Sequence, residues 1–183
     1  MKSAIIMLAQ TLMIPLLSLA RGHAQEVETT PKLAHTRTEF SFTVDAPFEQ
    51  VEPLFGAHEE RKWADGWDPQ FVYPTPARDQ QGEVFKVAHG QQSSVWINTV
   101  LDLAAGHIQY AYILNDAMAT LIDIHVIRQG TQKTGVTVVY ERTALMPGAN
   151  EHVRHFAKGD KRSGKEWGEA MNGYFAKAGK AAK

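Results

Sequence analysis

Hydrophobic and polar residues alternate along most of this chain, and where the alternation stops the period lengthens to that of a helix. Residues 38–45 set Phe40, Phe42 and Val44 on one side and Glu39, Ser41 and Thr43 on the other, as a half-buried strand does. Asp45-Ala46-Pro47 reads as a helix start. Phe48, Val51 and Phe55 then fall at helical spacing, with Pro53 keeping the helix short and Gly56 ending it. A second short helix is expected over 58–63, and a turn-rich loop over 63–69. Strands are expected at 70–75, 83–89, 94–103, 107–114, 120–129 and 135–145. Gly82, Gly90, Gly106, Asn115-Asp116 and Gly130 separate them at hairpin spacing, so successive strands are antiparallel neighbours. After Met146-Pro147-Gly148 the period is helical almost to the C-terminus. A sheet of about seven antiparallel strands curls and must cover one face, and the terminal helix is the element long enough to do it. The fold class is therefore α+β, a curved sheet around a long C-terminal helix with two short helices after the first strand.

Four local strings sharpen this reading. They are Arg61-Lys62-Trp63-Ala64-Asp65-Gly66-Trp67-Asp68-Pro69, Val95-Trp96-Ile97, Thr137-Val138-Val139-Tyr140-Glu141-Arg142-Thr143-Ala144-Leu145, and the helix that holds Trp167 and Tyr174. With the element order, over about residues 38–178, they resemble a bacterial branch of the START-like helix-grip (SRPBCC) superfamily. That superfamily includes lipid-transfer domains, pollen allergens and polyketide cyclase-like proteins. The resemblance implies a cavity between sheet and terminal helix for an apolar or amphipathic molecule. It implies no particular reaction, because the fold hosts carriers, sensors and cyclases alike.

The residues themselves suggest where such a cavity lies. One stripe of the terminal helix runs Val153, Phe156, Asp160, Gly164, Trp167, Met171, Tyr174, bulky at both ends and bare in the middle. A continuous helix would leave space opposite the sheet at Gly164, with Asp160 costly there unless paired or solvated. A kink near Gly159 and Gly164 would instead put Asp160 in water. On the strands, Trp96, Tyr110, Tyr112 and Tyr140 combine apolar bodies with polar handles, and Ile122, Ile124 and Val138 share their interior; plain core packing is the other reading of each. Trp63 and Trp67, in a loop beside Gly66, are placed at the pocket mouth or as a structural plug. Arg142, on the face of Tyr140, is the candidate partner for a ligand carboxylate at the pocket end.

Composition and the N-terminus bound the function. The chain has 183 residues, a formal charge of −1 and no cysteine. This excludes thiol chemistry, disulfides and cysteine-held metals, and argues against a phosphate-driven nucleic-acid binder. Residues 1–24 combine Lys2, an apolar run through Ala20 and small residues before Gln25, the pattern of a cleaved secretory signal. Pro15 and its short length separate it from a membrane anchor. A mobile leader is expected over 25–37 and the domain over 38–183, in a periplasmic or secreted protein without stable membrane insertion.

Catalytic patterns are sparse. His58-Glu59-Glu60-Arg61-Lys62 lacks the second histidine of a zinc helix. His152 and His155 share a helix face without a third partner, and 159–166 ends in Glu166 where a phosphate loop needs Ser or Thr. Asp123 and His125 are the best acid–base pair, but they alternate with Ile122, Ile124 and Val126 and so fall on the opposite face, normally solvent. The sequence thus reads as an exported, non-enzymatic protein that binds a hydrophobic or amphipathic molecule (lipid, polyketide or aromatic), with no cofactor or metal. The alternative is a polyketide cyclase/aromatase-like enzyme using the same cavity, with Asp123 and His125 turned inward.

Overall fold

The structure is a computed structural model and describes residues 32–181; the expected signal segment 1–24 and most of the expected leader lie outside the described residues. Strand β1 (His35–Val44) leads into a single α turn, α1 (Phe48–Val51), which tightens into a 3-10 turn at Glu52–Phe55, where Pro53 has no N–H to give an α-helical ladder. A second 3-10 turn covers Glu59–Lys62. Strands β2 (Gln70–Tyr73), β3 (Val84–His89), β4 (Gln92–Asp102), β5 (His107–Leu114), β6 (Met118–Arg128) and β7 (Thr134–Ala144) follow, then helix α2 (Asn150–Ala181).

All seven strands form one antiparallel sheet in the order β1-β7-β6-β5-β4-β3-β2. β2 to β7 are joined by hairpins, whereas β1 pairs along its whole length with the last strand. The chain therefore has the helix-grip α+β architecture expected from its pattern. One boundary differs. His35 pairs with Thr143 and Arg37 with Glu141, so residues 35–37 belong to the sheet and not to a leader. Their side chains are exposed or half-buried, so no apolar alternation announces a strand that backbone pairing alone creates. At the β4–β5 turn, Gly106 takes φ 67°, and a Cβ there would sit 2.1 Å from the carbonyl oxygen of Val126, so only glycine fits. The outer face is not wholly polar: Val95 and Ile113, cross-strand partners on β4 and β5, are exposed there with Ile97.

Helix α2 has 32 residues, about 48 Å at 1.5 Å rise, and runs without interruption through Gly159 and Gly164. The helical hydrogen-bonding pattern is not broken at either glycine, and Asp160 is not left in water as the kink alternative required. The gap expected at Gly164 is absent. A Cβ on Gly164 would lie 3.2 Å from the Ser41 carbonyl oxygen and 3.4 Å from Phe40, and one on Gly168 would lie 3.2 Å from Phe42. The two glycines, one turn apart, let α2 settle onto β1, so the bare stretch of the stripe is filled by strand backbone. Asp160 is neither solvated nor facing a cavity. It is buried and takes both terminal nitrogens of Arg142, with Nη2 to Oδ1 at 3.0 Å, while the Thr38 hydroxyl donates to the same carboxylate. Apolar burial is continuous from Val44, Val51 and Phe55 through Phe85, Ile108 and Val138 to Val153 and Met171.

Candidate functional site

A cavity of about 300 Å³ opens on the concave face of the sheet. Its wall is built by β3 to β7, and its roof by the segment from Glu60 to Trp67. Strand alternation decides the wall: Trp96, Tyr110, Ile122, Ile124 and Tyr140 sit at inward positions of β4 to β7 and all line the space. Trp67 and Trp63 line it from the roof, and exposed Asp65, Gly66 and Ala88 mark where it meets solvent. All four tryptophans of the chain border this one space.

Helix α2 contributes only Trp167, whose ring meets Trp63 edge-on at 5.5 Å. The cavity is thus between the sheet and the roof loop, and the other expected helix residues are placed elsewhere. Phe156 is 37% exposed and lies over the Arg142 guanidinium at 5.5 Å. Asp160 and Gly164 face β7 and β1, and Met171 is core. Tyr112 lies beside the lining residues, stacked on its cross-strand partner Trp96 at 4.2 Å, and Val138 is fully buried beside its cross-strand partner Ile124. Arg142 is not at the mouth. With its side chain 5% exposed, bonded to Asp160 and lying 4.1 Å over the Tyr140 ring, it has no free fork for a ligand carboxylate.

The ring polar groups are mostly engaged by protein. Trp63 Nε1 donates to the carbonyl of Leu54 (2.7 Å), Trp67 Nε1 to that of Ala57 (2.8 Å) and the Tyr110 hydroxyl to that of Phe55 (2.8 Å). Trp96 Nε1 donates to the Ser94 hydroxyl (2.6 Å). Three aromatic side chains therefore fasten residues 54–57 with their polar atoms while their rings line the cavity. Two polar groups at the wall form no hydrogen bond among the described residues: the Tyr140 hydroxyl and the carboxyl of Glu60.

Glu60 is the residue that sequence reasoning missed. It is buried, and burial, helped by the nearby carboxyls of Asp79 and Glu83, pushes its pKa well above the usual glutamate value. The same causes raise Glu83 to about 7, and burial raises Asp79. Burial thus favours the protonated form of Glu60, which is able to donate a hydrogen bond or to exchange a proton. The signal was present: Glu60, Trp63, Ala64 and Trp67 stand at helical spacing and do share one surface. Val87, opposite on β3, was also missed.

Asp123 and His125 point away from the cavity, on the outer face of β6, as their alternation with buried Ile122, Ile124 and Val126 requires. The inward-turned pair needed by a cyclase is therefore overturned. Burial opposes the charge of Asp123, but hydrogen bonds from His107, His125 and Gln109 outweigh it and hold its pKa below the usual value. Among the described residues, no helix is long and apolar enough to cross a membrane.

No protein-family model and no curated protein matches the chain. Solved structures do. Mll3558 from Rhizobium loti aligns with TM-score 0.56 and 18% identity over 79% of this chain and 99% of that one. Norcoclaurine synthase from Thalictrum flavum, in complex with dopamine and hydroxybenzaldehyde, aligns with TM-score 0.58 and 11% identity over 92% and 98%. The di-domain ARO/CYC protein BexL aligns with TM-score 0.57 and 17% identity over 77% of this chain and 46% of that one. At these identities the likeness is one of fold, a helix-grip fold.

Proposed function

From that fold and cavity, we propose that the protein is an exported binder of a compact, ring-bearing apolar molecule. The observation that carries this reading is the aromatic cavity itself, lined by four tryptophans and two tyrosines and holding at Glu60 an unpartnered carboxyl whose protonated form burial favours. Its volume of about 300 Å³ stands at the small end of ligand sites and suits one or two rings better than a two-chain lipid. Burying about 200 Å² of apolar ligand surface at about 25 cal/mol per Å² supplies about 5 kcal/mol. Glu60 and Tyr140 then orient a ligand oxygen. Export rests on residues 1–24, and N-terminal sequencing of the secreted or periplasmic protein is expected to begin at Gln25.

The test uses the four cavity tryptophans as reporters. Native mass spectrometry of protein from its own compartment should show a bound small molecule, and titration with mono- and bicyclic aromatics should saturably change the emission. No adduct, together with no response to any ring compound, would overturn the reading. The second reading, a cyclase-type enzyme, now rests on Glu60 in place of Asp123 and His125. It predicts that Glu60→Gln binds the native molecule but leaves it unchanged where the parent protein converts it.

A further inference from the structure

The outer face of the sheet carries a second cluster, unrelated to the cavity. On β5 and β6, His107 faces His125 and Gln109 faces Asp123 as cross-strand partners. The two imidazole rings stack in parallel, centroids 4.7 Å apart and planes within 8°. Both present Nε2 to a single carboxylate: His107 lies 2.7 Å from Oδ1 of Asp123, and His125 lies 3.0 Å from Oδ2. The three donor atoms lie within 4.8 Å of one another.

The geometry points to a divalent transition-metal site, of the zinc or copper(II) class, formed by His107, Asp123 and His125. Two imidazoles and a carboxylate are the ligand set that favours these ions over magnesium or calcium, which prefer all-oxygen shells. Bonds of 2.0–2.1 Å in a tetrahedron separate ligands by about 3.3 Å, so side-chain rotation closes the remaining distance without moving the strands. Those strands are the third and fourth of seven in the sheet order, so the donors stand on its middle. A supporting chain is also present. Gln109 Nε2 donates to Asp123 Oδ1 at 3.3 Å, and the Gln109 side-chain oxygen accepts from the Thr99 hydroxyl at 2.9 Å. This is the outer-shell support that fixes a ligating carboxylate. The three side chains are half-buried to half-exposed, so water would complete the coordination and the ion would enter directly from solvent.

The site is tested on untagged protein by isothermal titration with zinc chloride, and by electron paramagnetic resonance with copper(II). One saturable equivalent is expected, with copper hyperfine structure from two imidazole nitrogens. His107→Ala and His125→Ala should each weaken binding by about tenfold or more, and Gln109→Ala should weaken it less. His152→Ala with His155→Ala, the helix pair of α2, should leave it unchanged, and so should Glu60→Gln in the cavity. Because the residues face outward, fluorescence titration of the cavity should be the same in all the outer-face variants, which separates this site from the proposed ligand function. Absence of saturable binding below about 1 mM zinc overturns the proposal. So does binding that survives His107→Ala and His125→Ala, or that disappears with the α2 pair.

Discussion

Replacing Asp160 by asparagine keeps the volume and removes the charge that faces Arg142. The guanidinium side chain is 5% exposed and the carboxylate 8%, so water cannot take over. The parent carboxylate accepts from both terminal nitrogens of Arg142 and from Thr38. Asparagine offers one weaker acceptor oxygen and leaves a buried cation uncompensated. Breaking such a pair costs about 3–5 kcal/mol, and the retained amide oxygen places Asp160→Asn near the lower end, about 3 kcal/mol. For a domain of this size, each kcal/mol lowers the midpoint by about 2–4 °C, so Tm should fall by about 10 °C. Denaturant and thermal unfolding at pH 7, followed by circular dichroism, read this directly. Replacing both partners by apolar residues, Arg142→Met with Asp160→Leu, should recover most of the loss, since neither charge is then orphaned. A cost below about 1 kcal/mol for the single variant, or a double variant as damaged as the single, would refute the argument that the pair is a closed electrostatic unit.

Other expectations follow from the same structure. Glu83 is fully buried with its pKa raised from 4.5 to about 7, so the folded state holds its proton more tightly than the unfolded one. Stability should be greatest below pH 4.5 on this account and fall as pH rises to about 7, and Glu83→Gln should flatten that slope in pH-dependent urea unfolding. Ligand affinity read from tryptophan emission should weaken with rising pH as Glu60 ionises, and Glu60→Gln should abolish the pH dependence while retaining binding of ring compounds. Gly173→Ala, on α2 with nothing within 4 Å of the added methyl, should stabilise by up to about 1 kcal/mol in thermal unfolding. Gly164→Leu, against β1, should cost stability and shift the emission of Trp167.

The period of the side chains made most of the architecture legible. Two-residue alternation on β4 to β7 settles which residues face inward, and so places Trp96, Tyr110, Ile122, Ile124 and Tyr140 on the wall and Asp123 and His125 outside. Helical periodicity said much less about what α2 touches. The stripe from Asp160 to Met171 shows which face is buried but not how closely the neighbour approaches, and two glycines at 164 and 168 brought the strand into the space read as a cavity. Likewise, Asp160 and Arg142 lie on different elements with no local pattern linking them, so their pairing emerges only in three dimensions. Glu60 was hidden by its neighbours. In a string of Glu59, Glu60, Arg61 and Lys62 it looks like one more solvated charge, and only the positions of Trp63 and Trp67 turn it inward.

Trp63, Trp67 and Tyr110 hold the roof down through the carbonyls of Leu54, Ala57 and Phe55, and they also offer their rings to whatever lies below. Exchanging any of them for phenylalanine would preserve a flat ring yet strand a carbonyl, so drift at these three positions is penalised whatever the guest. Val87, Ala88, Ile122 and Ile124 carry no such tether. A lineage that changed its guest would therefore be expected to write the change into those aliphatic positions first, leaving the aromatic fastenings as they are.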